Sequence, residues 1–140
     1  MRFARARGRN RKTSYVDGYL RTVTWFRRRD RWFAEEKQRA GSARCIVCSK
    51  AGTSRTLELH HLDYARVTRD EDGRWHAGEQ HADLVAAHPR CHEWIHQLLD
   101  RDRAASGAVN RRQANIRVIR RLRAKFADQI QKLEEWGHDD

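Results

Sequence analysis

Eight histidines and three cysteines are the residues of this 140-residue chain best suited to chemistry, and their spacing is not random. All three cysteines and seven of the histidines fall between positions 45 and 96. Cys45-Ile-Val-Cys48 is followed some 40 residues further on by His88-Pro-Arg-Cys91. An x-x spacing lets two side chains of one tight turn converge on a single ion, and Cys₃His is a standard donor set for structural zinc. An odd number of cysteines makes a poor disulfide framework, so the reading is a metal site in a reducing compartment. Two alternatives remain: three buried free thiols without metal, or His92 in place of His88 as fourth donor. The second is disfavoured because His92 directly follows Cys91, and adjacent side chains rarely share one ion.

The other histidines suggest a second centre. His60-His61 closes a short strand expected over residues 56–62, whose TLELHHL pattern partly alternates. His92 and His96 stand four apart on an expected helix, hence on one face. Taken singly, each is better explained as a surface or core histidine. Cys91 adjoins His92 and the Cys45-Cys48 pair precedes the strand, so one set of chelate loops would bring the two histidine segments together.

The elements that position these residues can be read from caps and periodicity. Residues 1–13 are Arg-rich with almost nothing to bury and read as a disordered basic arm. Thr22 is an expected N-cap and Gly41 a C-terminal stop for a helix. In it Trp25, Phe26, Trp32 and Phe33 recur seven apart on one face, as ordinary core. Residues 63–82 are polar and read as a long loop, with a return strand at 83–86. A helix follows over 88–102, with Pro89 near its start. After Ser106-Gly107, Asn110 and Gln113 resemble a capping box. Ile116, Ile119, Leu122, Phe126, Ile130 and Leu133 then give an amphipathic helix. Its stripe is expected to pack on the Trp25/Trp32 helix or on a second copy of itself. The domain reading is a basic arm at 1–13, a zinc-stapled domain at 14–103 and a basic amphipathic helix at 108–137. The fold class is α+β, predominantly helical.

Leu, Ile, Val and Phe make up only 18% of the chain, a fraction that borders on the disordered class; five Trp and three Tyr argue for a small packed core. No apolar run approaches the roughly 20 residues that span a bilayer, and the start lacks the apolar stretch of a secretory signal, so the expected location is cytoplasmic. The net charge of +11 favours a polyanionic partner, and it is segregated. Residues 1–31 carry +9 and residues 101–125 carry +8, while residues 51–100 carry −4. Arg outnumbers Lys 25 to 5, which suits bidentate phosphate contacts, although a GC-rich genome would give the same bias. Seven cations without one anion occupy residues 111–125, a density that phosphates would neutralise. Arg11, Arg111, Arg112, Arg117, Arg120 and Arg121 are therefore the expected nucleic-acid contacts.

Taken together, Tyr19-Leu20-x-Thr22-x-x-Trp25, Cys45-x-x-Cys48, Leu59-His60-His61-Leu62-Asp63-Tyr64, Asp83-Leu84-Val85 and His88-x-x-Cys91-His92-x-x-Ile95-His96 resemble the HNH endonuclease family. The resemblance covers about 80 residues, from Tyr19 to His96. It implies a ββα-metal (His-Me finger) core, here with an N-terminal helix and a long C-terminal amphipathic helix. It implies His61 as the general base that activates water, and His60 and His92 as ligands of a catalytic divalent ion. His96 matches an extra ligand found in the nuclease-colicin branch. Asp83 stands where the family usually has Asn, at the position that ties the catalytic loop together. If ionised near His61, Asp83 should favour the imidazolium. His88 stands where a first Cys is usual, and the segment 63–82 is longer than typical.

The implied activity is DNA phosphodiester hydrolysis, by nicking or double-strand cutting, leaving 5′-phosphate and 3′-hydroxyl ends. Expected cofactors are structural Zn²⁺ and a catalytic Mg²⁺, Mn²⁺, Ni²⁺ or Zn²⁺. DNA is the expected partner, with a homodimer or phage packaging proteins as further ones, and no membrane. The setting is a bacterial or phage-infected host cell. Two rivals carry the same residues: a non-catalytic zinc module that binds nucleic acid, and an RNA endonuclease.

Overall fold

A computed structural model describes residues 16–106 and 110–137. The basic arm and Arg11 lie outside those residues. A helical turn over residues 16–19 leads into helix α1 (Val23–Ala40). Thr22 caps α1 through its hydroxyl, which accepts the Trp25 amide hydrogen (3.1 Å). Gly41 ends it at φ 83°, a conformation that favours glycine, and donates to the Lys37 carbonyl (2.9 Å). Its buried stripe is Trp25, Arg28, Trp32 and Glu36, spaced three, four and four. Phe26 is therefore not core as expected: one position round the helix from Trp25, it is 52% exposed.

Strands β1 (Ala43–Arg44) and β2 (Ala51–Gly52) pair antiparallel around the turn that holds Cys45 and Cys48. Strand β3 (Glu58–His61) follows. The segment expected as a loop at 63–82 instead contains a hairpin of β4 (Val67–Arg69) and β5 (Trp75–Ala77). Its turn is built by Asp70, whose side chain accepts the Arg74 amide (2.9 Å) and whose carbonyl accepts that of Gly73 (3.0 Å). Gly73 adopts φ 79° there. Just beyond β5, a Cβ at Gly78 would collide with the Arg66 carbonyl oxygen, so glycine is required for the chain to close on itself. A 3₁₀ turn (His81–Asp83) then enters β6 (Leu84–Ala87).

β6 pairs antiparallel with β3, His60 opposite Val85 and His61 opposite Leu84. Helix α2 (Pro89–Ser106) leaves directly from β6. Helix α3 (Arg111–Trp136) is capped by Asn110, whose side chain accepts the Gln113 amide (2.9 Å). α3 packs mainly against α2, rather than on the Trp25/Trp32 helix. The reason is local: α2 presents Ile95 and Leu99, which are buried with Ala114, Val118, Ile119 and Leu122 of α3 in one core. From Ala127 onward α3 is exposed throughout.

Among the described residues the result is an α+β fold, more than half helical, with three small antiparallel strand pairs. Among the described residues no helix is long and apolar enough to cross a membrane.

Candidate metal centres

Cys45, Cys48, His88 and Cys91 converge so that their donor atoms all lie within 4.8 Å of one another. The first pair sits in the β1–β2 turn. Ser49 takes a left-handed φ of 67° there, and the turn is closed by Cys45 N–H on the Lys50 carbonyl (2.9 Å) and Ser49 N–H on the Cys45 carbonyl (3.0 Å). The second pair straddles the start of α2. His88 Nδ1 lies 3.3 Å from Cys48 Sγ, and the His88 amide donates to Cys45 Sγ (3.5 Å).

Burial works against ionising Cys45, but amide groups of Cys48, His88 and Val47 outweigh it and bring the thiol down to about 7. Cys91 is pushed up by burial and by the neighbouring Cys45 and Cys48 sulfurs. Three thiols crowded this closely cannot all ionise unless a cation neutralises them. The donor set could hold a metal ion, and its chemistry fits a tetrahedral one.

His60, His92 and His96 form a second group whose ring nitrogens lie within 4.8 Å of one another. His60 and His61 are adjacent on β3 and so face opposite sides of the strand pair. On the side toward α2 and α3, His60 Nδ1 lies 3.1 Å from His92 Nε2, which lies 3.0 Å from His96 Nε2. The outer nitrogens fix the tautomers. Asn115 donates through Nδ2 to the Leu62 and Arg111 carbonyls (2.8 and 3.0 Å). Its Oδ1 therefore accepts from His60 Nε2. Glu58 accepts from His92 Nδ1 (2.9 Å).

With both rings neutral, lone pairs on His60 Nδ1 and His92 Nε2 face each other. That arrangement repels unless a cation lies between them, so the residues fit a divalent metal with orienting hydrogen bonds already in place. Burial, together with His92, His96 and Arg111, holds the His60 pKa well below the usual imidazole range, against the Asn115 bond. Burial, His92 and Arg111 bring His96 down to about 4. Neutral, metal-ready imidazoles at His60 and His96 are thus favoured near pH 7.

His61 occupies the other face. Its ring stacks on Tyr64 (4.2 Å between centroids) and tilts against Trp25 (4.7 Å). Its Nε2 donates to Glu79 Oε2 (2.7 Å). Glu79 also accepts from the Tyr19 hydroxyl, and its backbone carbonyl accepts from Arg28 Nε (2.9 Å). Among the described residues His61 Nδ1 has no hydrogen-bond partner. Burial lowers the His61 pKa, and Glu79 only partly offsets this. The ring is therefore neutral at pH 7 with an unprotonated Nδ1.

No family model, curated protein or solved structure matches the chain. The site must stand on its own chemistry. Asp83 is buried, and its carboxylate takes Arg66 (3.0 and 3.1 Å), Arg112 and the Gln80 amide (2.9 Å). It latches the β4–β5 hairpin and α3 to the start of β6, and the carboxylate that contacts His61 is Glu79, not Asp83.

The expected nucleic-acid contacts divide. Arg112 is tied to Asp63 (2.7 Å) and to Asp83, and Arg117 to Asp102 (3.0 and 2.7 Å). Arg120 and Arg121 are exposed and carry no ion pair among the described residues. Arg111 lies over the Tyr64 ring (5.2 Å), its Nε buried without a hydrogen-bond partner. Its charge acts on His60, His61 and His96.

Two residues of the site were not singled out in the sequence, Asn115 and Glu79. Asn115 had a signal, an amide set among the apolar positions of an amphipathic helix. Glu79 had none, because only the unforeseen hairpin carries it to His61.

Proposed function

We propose that this chain is a metal-dependent endonuclease of the HNH type that hydrolyses DNA phosphodiester bonds. The observation that carries the reading is the paired arrangement at β3. Three imidazoles, two of them tautomer-fixed, face one another on one side, and a neutral, carboxylate-held His61 lies on the other. The β3–β6 pair leading directly into α2 supports a ββα-metal core. His60, His92 and His96 would hold the divalent ion, which when bound supplies Lewis-acid stabilisation to phosphate and leaving-group oxygens. Cys45, Cys48, His88 and Cys91 would hold Zn²⁺, replacing apolar burial that the composition lacks.

His61 Nδ1 takes the proton from a water attacking phosphorus in line with the leaving 3′-oxygen. Glu79 holds the opposite ring nitrogen, fixing the tautomer and stabilising the imidazolium that forms. Arg111 offers its guanidinium to a non-bridging phosphate oxygen, a use that its unpartnered Nε supports. The P–O3′ bond breaks, leaving a 5′-phosphate and a 3′-hydroxyl.

The rival reading, a zinc-containing nucleic-acid-binding module, draws on the burial of His61, which is 2% exposed. Supercoiled plasmid and RNA, each incubated with the pure chain and Mg²⁺, Mn²⁺, Ni²⁺ or EDTA, separate these readings. Divalent-dependent cutting of DNA is expected. Cutting of RNA alone would make the chain a ribonuclease. Tight binding with no cutting would leave a binding module.

A further inference from the structure

Helix α3 changes character along its length. Residues 111–125 hold seven cations and no anion, whereas residues 126–136 hold three anions, Asp128, Glu134 and Glu135, and one cation, Lys132. The first half is buried against α2 by Ala114, Val118, Ile119 and Leu122. The second half projects beyond the core, yet its apolar stripe continues: Ile130 is 41% exposed, Leu133 64% and Trp136 70%. A surface helix has no use for a leucine and a tryptophan at that exposure, and such a stripe rimmed by charge marks an interface.

Beside it, α2 and the middle of α3 frame a groove. Its floor is Leu98, Leu122 and Phe126, with Trp94 at one wall and Arg101, Arg121 and Lys125 along the rim. Among the described residues those three cations, and Glu134 on the tail, have no ion pair. One chain therefore displays both an acidic apolar helix end and a basic apolar groove. The helix is unbroken from Arg111 to Trp136, so the end cannot fold back into its own groove.

We propose that two copies of this chain pair antiparallel through α3, the acidic end of each lying in the basic groove of the other. A twofold axis near residues 129–130 sets Phe126 opposite Leu133 and Lys125 opposite Glu134. Trp136 then comes beside Leu122 at the foot of the groove. Such a contact is isologous, and each favourable pair occurs twice. Antiparallel pairing is selected by charge, since a parallel one would oppose basic half to basic half. Charge also makes the groove a poorer fit for a second basic chain in any other orientation. The pairing uses none of the metal-ligating or catalytic residues and so is independent of the catalytic reading, but it would cover Arg121, one of the expected nucleic-acid contacts. On that reading it would present two active sites to one duplex.

Sedimentation equilibrium of the zinc-loaded full chain tests this. The expected mass is twice the 16.6 kDa of one chain. Lys125→Glu and Glu134→Lys, each at an exposed position, should leave circular dichroism unchanged. Each should raise the dimer dissociation constant by about tenfold or more, because two like-charge pairs are created. The double variant Lys125→Glu/Glu134→Lys should return it to within about threefold of the original. A monomer at every concentration up to the submillimolar range would overturn the proposal. So would single reversals without effect, or a double variant that fails to restore pairing. A monomer in which Arg101→Glu weakens binding of a duplex oligonucleotide would assign the groove to nucleic acid instead.

Discussion

Asn115 and His60 show how one buried amide can decide which nitrogen of a histidine is free. Replacing Asn115 by leucine keeps the volume but removes the acceptor on His60 Nε2 and the donor to Leu62 and Arg111. Divalent affinity at the histidine trio should fall about 10–100-fold, while zinc in the cysteine site is retained. Stability should drop by about 1–3 kcal/mol, since the Leu62 carbonyl and His60 Nε2 lose their partner while the Arg111 carbonyl keeps its helix bond. Metal titration and urea unfolding measure the two effects separately.

Asp63 tests the ion pairs that fasten α3. Burial opposes its ionisation, but the Ala65 amide and Arg112 outweigh burial and hold its pKa below the ordinary carboxylate value. A lowered folded pKa stabilises above the unfolded value near 3.9, and that contribution disappears as pH falls through the folded pKa. The stability difference between the native chain and Asp63→Asn should therefore be constant from about pH 5 to 7 and shrink below about pH 4. Thermal unfolding of the pair across that range checks the sign. At this scale the cysteine quartet and the three histidines were legible, because short chelate spacings are local. Glu79 was not, since its contact with His61 crosses a hairpin that charged residues concealed.

The elements repeat the lesson at larger separation. Caps at Thr22, Gly41 and Asn110 were readable because each satisfies backbone groups within its own turn. The partner of α3 was not, because periodicity reveals that a face is apolar without saying what covers it. The hairpin at 67–77 was hidden by its Asp70–Gly73 turn, which makes the whole segment look like a loop. α3 itself divides into a half that completes the core and a half that does not. At concentrations low enough for the chain to be monomeric, ending it after Ala127 should change unfolding free energy by no more than about 0.5 kcal/mol, since only positions exposed in one copy are lost. Ending it after Ser106 should remove Asn115, Arg112 and four buried apolar residues, leaving α2 uncovered and the chain without a cooperative unfolding transition. Chemical denaturation of the two truncations distinguishes these halves.

Across the whole molecule, the +11 charge separates into cations that hold the chain together and cations left for a partner. Arg112 and Arg117 are committed to carboxylates, while Arg120 is not. Arg120→Ala should reduce the log–log salt slope of duplex binding by about 0.9, one phosphate contact. Arg112→Ala should act on stability instead. Binding isotherms at several salt concentrations give the slopes. The low apolar content has its counterpart in the cysteine quartet, so on the proposed zinc-stapled reading a strong chelator should lower the melting temperature sharply.

The nuclease reading turns on His61 acting as a base across β3 from the His60, His92 and His96 trio. Its most direct test compares plasmid cleavage by the native chain and by His61→Ala, with zinc retained and a second divalent ion supplied. Divalent-dependent, EDTA-sensitive cutting by the native chain is expected, with a loss of at least about 100-fold in rate for the variant and DNA binding unchanged. Cutting by His61→Ala at the native rate, or no cutting by the native chain with any divalent ion, would contradict it.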